Sequence, residues 1–393
     1  MLDTRTSDGE NARVSRRRVI GLLGAGSVAG LAGCIGTNRG DGTATGTAST
    51  GAGGQGSSGT RTVTDLLGRD VEVPGTVERV VCLESSTLRE ICHMNAADLV
   101  VGVEKREQEW AREIPYNIAH PRFQELPVIG PRGGDPELVA QQDPDVIFMV
   151  ASTEPVRTMQ QQTGIPVVGI PGGDLENQRT TLYESWRVIG RVLDKQERAE
   201  SLITYTDDIV ADFDDRTADA PNNGTRDVIV SGVNFRGPGT FTTILLPYPP
   251  LKWLNTKSVA HGAFPDTFER GEYNGVTVSD EKFLEWDPER LFLDLANLEL
   301  ATQTLQKNPE FEGLSAIRNG QVYGLHPFNQ YNNNLTCTLA NGYYLGSVLY
   351  PDRFSDVSIE EKANEIYDTY LGAPVYDQVA DIFGGYETYD LTG

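Results

Sequence analysis

Two Rossmann-like α/β lobes joined by one long helix are the fold the sequence predicts, on three observations. Short apolar runs alternate with helix-like segments over the first part of the chain. A charged stretch at 194–215 carries a single apolar stripe, and a second alternating region follows it. Strand–helix alternation of this kind predicts a mainly parallel sheet in each lobe.

In the first lobe, 79–83, 99–103, 146–150 and 167–170 are short and β-branched, as strands buried on both faces are. Between them, 87–95, 135–142 and 156–163 read as helices. Ala199, Leu202, Ile203, Ile209, Val210 and Phe213 then recur at helical spacing among charged residues, which predicts a long amphipathic helix. A break rich in Asp, Asn, Pro and Gly at 218–225 ends it. The second lobe reads as a strand at 227–231, a Gly/Pro-rich irregular stretch to Pro250 and a helix at 280–286. Strands at 290–294 and 322–325 and helices at 335–349 and 359–370 complete it.

Before the first lobe lie two segments of other kinds. Residues 15–34 read Ser-Arg-Arg-Arg, a short Gly/Ala/Leu/Val run, then Leu31-Ala32-Gly33-Cys34. A twin-arginine start, a brief apolar core and small residues before a cysteine form an export signal. The apolar run is too short and glycine-rich for a comfortable membrane span. The last four residues have the form of a lipobox, in which Cys34 is lipidated and becomes the first residue; an ordinary signal peptide with an incidental Cys34 also fits. Residues 36–60 are almost only Gly, Thr, Ser and Ala, a flexible tether with a reach of about 25–30 Å. The expected boundaries are therefore signal 1–33, tether 34–60, N-terminal lobe 61–191, connecting helix 192–218 and C-terminal lobe 219–393. The protein is expected on the outer face of the cell membrane, exported by the twin-arginine route and lipid-anchored.

The chain has 33 basic and 56 acidic residues, a formal charge of −23, and only 7 of the basic residues are Lys. No basic stripe exists to neutralise phosphates, which excludes a nucleic-acid partner. An acidic, lysine-poor surface suits high salt, where self-repulsion is screened, so the source reads as a halophile. Without Cys34, Cys82, Cys92 and Cys337 remain, an odd number with no CxxC spacing, so neither a disulfide framework nor a zinc knuckle is expected. Cys82 and Cys92 lie in apolar segments and read as core residues. Asn223 and Asn334 open glycosylation sequons.

An internal echo links the lobes. Glu137-Leu-Val-Ala-Gln-Gln-Asp-Pro144 closes a helix and opens a strand in the first, and Glu281-Lys-Phe-Leu-Glu-Trp-Asp-Pro288 does so in the second. A carboxylate near a helix N-terminus is favoured by the dipole, which accounts for each glutamate alone. Two equivalent carboxylates on one rim also make a symmetric acidic surface for a two-fold basic partner.

With the echo, the chain resembles the solute-binding proteins of ATP-driven importers for iron–siderophore complexes, cobalamin and haem. The resemblance runs from Thr62 to Leu371. It is carried by Thr62-Val-Thr-Asp-Leu-Leu-Gly-Arg-Asp-Val-Glu-Val-Pro, Glu78-Arg-Val-Val, Ala97-Asp-Leu-Val-Val-Gly-Val, Leu126-Pro-Val-Ile-Gly, Leu314-Ser-Ala-Ile-Arg-Asn-Gly-Gln-Val-Tyr and Leu349-Tyr-Pro-Asp-Arg-Phe. It implies a rigid connecting helix, a ligand cleft between the lobes, and one glutamate per lobe, here Glu137 and Glu281, pairing with permease arginines. It also implies an ABC permease and its ATPase as partners, a monomer, no intrinsic cofactor, and an iron chelate as cargo, with cobalamin or haem as the alternatives.

Loops following strand C-termini then supply the ligand contacts. Arg132 and Arg236 suit carboxylate or catecholate oxygens, and Trp110 and Tyr248 suit flat organic faces. Ser152 and Asn297 stand on equivalent loops. His93, His120, His261 and His326 are scattered without metal-ligand spacing, His93 reading as structural and the other three as loop residues in reach of a haem or metal. No GxSxG, HExxH or GxxxxGK[ST] motif supports the competing class, a secreted hydrolase.

Overall fold

The computed structural model describes residues 59–220, 224–225, 227–235, 237, 239–265 and 274–392. Cys34, the export signal, nearly all of the tether, Asn223 and Arg236 lie outside the described residues.

A hairpin of β1 (Thr60–Thr64) and β2 (Asp70–Pro74) opens the described chain. The first lobe is built on β3 (Val80–Leu83), β4 (Val100–Gly102), β5 (Val146–Val150) and β6 (Val167–Ile170), all parallel, in the order β4-β3-β5-β6. Its helices are α1 (Thr87–His93), α2 (Pro115–Ala119), α3 (Pro136–Ala140) and α4 (Thr153–Thr163).

β7 (Gly224–Thr225) and β10 (Thr256–Lys257) form a short parallel pair of their own, separate from the second sheet. That sheet contains β8 (Val228–Ser231), β9 (Thr243–Leu246), β11 (Asn274–Thr277), β12 (Arg290–Asp294) and β13 (Val322–Leu325), ordered β11-β9-β8-β12-β13. Only β9 runs against its neighbours. The stretch read as irregular thus contains a buried central strand, Thr-Ile-Leu-Leu, whose pairing partner lies about thirty residues downstream.

The long connecting helix that the sequence predicts is preceded by a second helix, which packs on β1 and on it. α5 (Arg179–Leu193) ends at Asp194, whose φ of 57° reverses the chain into α6 (Gln196–Thr217). At 1.5 Å per residue, the 22 residues of α6 span about 33 Å. Its first half packs on α5; its C-terminal end meets α7 (Pro249–Trp253) and the segment around Arg353 and Asp356.

The β-pleat assigns side chains to layers. Val80, Cys82, Val146 and Phe148 of the first sheet, and Val228, Val230 and Phe292 of the second, belong to one continuous core. Trp186 of α5 and Phe213 of α6 join it, with helices at Leu335–Leu349 and Ile359–Leu371. The alternate residues face separate outer layers: Val81, Leu83, Ile147 and Met149 in the first lobe, Ile229, Leu291 and Leu293 in the second. The lobes therefore share their inner core, and sliding one against the other would expose apolar surface. Cys82, Cys92 and Cys337 are buried free thiols in that core. No helix among the described residues is long and apolar enough to cross a membrane.

Candidate functional site

Parallel strands deliver their C-terminal loops to one edge. From the first lobe come the loops after β3, β4 and β6 and the turn before α3; from the second, those after β8, β12 and β13. They enclose a cavity of about 1100 Å³. Ser85, Trp110, Arg132, Asn177 and Gln178 line one side. Asn234, Phe235, Asn297 and the run 329–333 line the other.

Amides dominate this lining, and the two charged residues on it are engaged by the protein. Arg132 pairs with Glu84 through Nε, and this carboxylate holds the guanidinium pKa above its usual value. The Arg132 side chain is still 56 % exposed, so it can meet a ligand. Asp174 accepts from the backbone amides of Glu176 and Gln178 at 2.8 and 3.1 Å. Asn297 donates to the Gly232 carbonyl at 2.5 Å and to Asn234 Oδ1 at 2.8 Å. Phe235 can lie over β11 because Gly275 there has no side chain: a Cβ would come within 2.4 Å of Phe235 Cβ.

The 329–333 run belongs to the second lobe in sequence, yet the first lobe holds it. Tyr331 donates to Glu104 Oε2 at 2.9 Å, Asn332 donates to Ser86 Oγ at 2.9 Å, and Arg89 donates to the Asn333 carbonyl. Asn329 donates back to the Asn234 carbonyl at 3.0 Å. Tyr331 and Asn332 have φ of 59° and 97°, a left-handed pair of the sort that costs about 1–2 kcal/mol per residue. Trp110 meets the Tyr331 ring edge-on at 5.1 Å between centroids, and the Arg106 guanidinium lies 4.6 Å from the Tyr331 centroid.

Of the residues expected at the ligand, Trp110, Arg132 and Asn297 line the cavity. Ser152 is exposed at the N-cap of α4, away from the lining. Tyr248 is buried at 3 % exposure, accepting from Asn341 and packed against Phe328, so it supports the cavity wall rather than lining it. An aromatic among three prolines reads as a loop residue in sequence, but Pro249 and Pro250 start α7 with Tyr248 at its N-cap and carry it inward. None of the four histidines lines the cavity. His326 is sealed against Tyr386 at 4.3 Å, and burial lowers its pKa to about 3. Among the described residues, no group of three or more His, Cys, Asp or Glu could hold a metal ion. Asn334 is 3 % exposed and donates to the Pro327 carbonyl, which leaves no room for a glycan.

Behind the cavity, Glu107 accepts from Tyr116 at 2.8 Å and Asn117 at 2.7 Å, and burial raises its pKa to about 7. Its folded pKa thus lies above the unfolded value of about 4.3. Stability from this group is full in acid and is lost as pH rises from about 4 through 7. In urea titrations at fixed high salt, Glu107→Gln should flatten the fall of stability over that window; identical slopes for the two proteins would exclude it.

The echo resolves into a repeated device. Asp135 caps α3 by accepting from the Glu137 and Leu138 amides, and Ser279 caps α8 (Asp280–Trp286) by accepting from Lys282. Asp143 and Asp287, each before a proline, take φ of 48° and 36° and turn the chain into the next strand. Glu137 and Glu281 are both exposed in the first turns of these helices, at the strand C-terminal edge of their own lobes. Its own backbone amide and the Ser279 hydroxyl hold Glu281 below the usual carboxylate range.

A family pattern described as "Periplasmic binding protein" matches residues 80–327. Molybdate-binding protein MolA of Haemophilus influenzae is 23 % identical over 345 residues, 79 % of this chain and 90 % of that protein. A periplasmic solute binding protein from Veillonella parvula superposes with a TM-score of 0.64 at 19 % identity, over 83 % of this chain and 97 % of that one. MolA bound to molybdate superposes at 0.62 and 19 % identity, over 80 % and 98 %. At such identities these structures share the fold alone. Members of the matched family bind small ligands and work with an ABC permease and its ATPase. Two α/β lobes, a cavity at their strand C-termini and the family match over most of that span lead to one conclusion: the chain belongs to the periplasmic binding protein family, as the substrate-binding component of an ABC importer and not an enzyme.

Proposed function

We propose that the protein captures a metal already wrapped in an organic chelator, of the ferric-siderophore type, and hands it to its permease through Glu137 and Glu281. One observation carries the cargo reading. The cavity is large, walled by amides and aromatic rings, and without a metal-ligand cluster among the described residues. Such a wall suits the outside of a complex rather than a bare ion. Arg132 supplies a charge-assisted contact for chelator oxygens, and Arg236, next in sequence to Phe235 and outside the described residues, is a further candidate. Haem and cobalamin are the alternative cargoes within this reading. Export by the twin-arginine route and a lipid on Cys34 complete it, with the tether 34–60 spacing lobes 61–191 and 219–393 from the membrane.

A second reading, an oxyanion, is favoured by the sequence relative, a molybdate-binding protein. A bare oxyanion would fill only a small part of a cavity of about 1100 Å³. The test is to purify the protein from a high-salt host and record its absorption spectrum and metal content. It is then titrated with ferrioxamine B, a ferric catecholate, cyanocobalamin, haemin and molybdate, following tryptophan fluorescence. Stoichiometric binding of a ferric chelate is expected; saturation by molybdate alone would overturn the chelate reading in favour of the second.

A further inference from the structure

Two residues that do not line the cavity are built around one that does. Glu104 is 2 % exposed at the end of β4 and spends one carboxylate oxygen on the backbone amides of Glu84 and Gly133, at 2.7 and 2.8 Å. Its other oxygen accepts from Tyr331 across the lobe boundary at 2.9 Å. Arg106 completes the group, 3.8 Å from that same oxygen, 4.6 Å from the Tyr331 ring centroid and 5.9 Å from that of Trp110.

A tyrosine in the left-handed region persists only where its surroundings over-determine it. Here hydroxyl and ring face are both engaged by first-lobe residues, and Trp110 closes on the edge. Cation–π and edge-to-face contacts are orientational, so the group fixes ring angles as well as positions. Nearly half of the Trp110 surface remains exposed, unusual for so large an apolar side chain.

We infer that Glu104 and Arg106 are positioning residues for ligand recognition, holding Tyr331 and Trp110 as a preformed aromatic wall for an apolar or aromatic part of the cargo. The recognition step rests on the chelate reading above; the positioning step does not. Holding the rings in place before binding removes ordering losses that binding would otherwise incur.

The variants are Tyr331→Phe, Arg106→Gln and the conservative Arg106→Lys, in the full chain, each with and without Trp110→Phe to isolate the signal of Trp110. Without ligand, acrylamide quenching of Trp110 should rise in Tyr331→Phe and Arg106→Gln and return towards the parent in Arg106→Lys. With ferrioxamine B as probe, the first two should each lose roughly tenfold in affinity, and their combination should lose no more than the larger single loss. Unchanged quenching in both variants overturns the positioning role, and additive affinity losses overturn the shared wall. A parent protein that does not bind ferrioxamine B counts against the cargo reading alone, because the quenching comparison still decides the positioning.

Discussion

Uptake is expected to stop in the double reversal Glu137→Arg/Glu281→Arg, while cargo affinity stays at the parent value. Both carboxylates are exposed on the first turn of a capped helix, and neither lines the cavity. Reversal at Glu281 gives up contacts local to its own helix start, with its own amide and the Ser279 hydroxyl, and leaves the packing of both lobes unchanged. Across an interface, close charge pairs carry coupling of about 1.5–7 kcal/mol, and like charges juxtaposed there repel. Two reversed contacts would then remove docking by several orders of magnitude. In concentrated salt the Debye length falls to about 3 Å, so only contacts made at close range survive screening. The control is Glu197→Arg/Glu361→Arg, exposed positions on the helices Gln196–Thr217 and Ile359–Leu371, with the same change of net charge. Radiolabelled cargo uptake in cells and titration of the purified protein check the pair. Normal transport by the first variant would dismiss the docking role, and equal loss in the control would reduce it to bulk charge.

Phe213→Ala should lower stability by about 3–5 kcal/mol, the loss expected for a phenyl ring removed from a closed core. Phe213 is fully buried on the long helix. It lies 4.6 Å from the Tyr343 ring and stacks on Trp253 at 5.9 Å, within 5° of parallel. Gly342 makes room for it: a Cβ there would fall 2.6 Å from the Phe213 ring. The alanine variant therefore opens a void where the helix meets the second lobe, and neighbouring rings cannot collapse into it without moving α7. Guanidinium unfolding at fixed salt measures the change, with a lower midpoint at unchanged slope. A loss under about 1 kcal/mol would show that the joint repacks freely, against a stiff connection between the lobes.

Much of the fold was legible because burial writes itself into local sequence. The helix Asp280–Trp286 and the helix Leu335–Leu349 match their expected bounds, and so do the strands Arg290–Asp294 and Val322–Leu325. Two of the elements that were missed escaped for different reasons. Leu182, Trp186, Ile189 and Leu193 give α5 an apolar stripe that the sequence does carry, and it could have been found. β9 could not: Gly and Pro crowd both its flanks, and its strand character comes from pairing with β8 and β11.

The site divides in the same way. Arg132, Trp110 and Asn297 were reachable by the rule that loops after strand C-termini bind ligands. The Asn-rich run 329–333 lies in sequence as an unremarkable polar loop, and nothing near it announces its partners. Glu104, Ser86 and Arg89, more than two hundred residues away, hold it across the cavity.

Sequence by itself determined the alternating elements, the long amphipathic helix and the repeated Glu-to-Pro segments, because each follows from periodicity or capping within a few residues. Tertiary structure alone decided that the lobes share one core, that Tyr248 turns inward, and that an asparagine-rich loop is strapped across the lobe boundary. Those outcomes depend on hydrogen bonds and packing between residues remote in sequence, which no local pattern encodes.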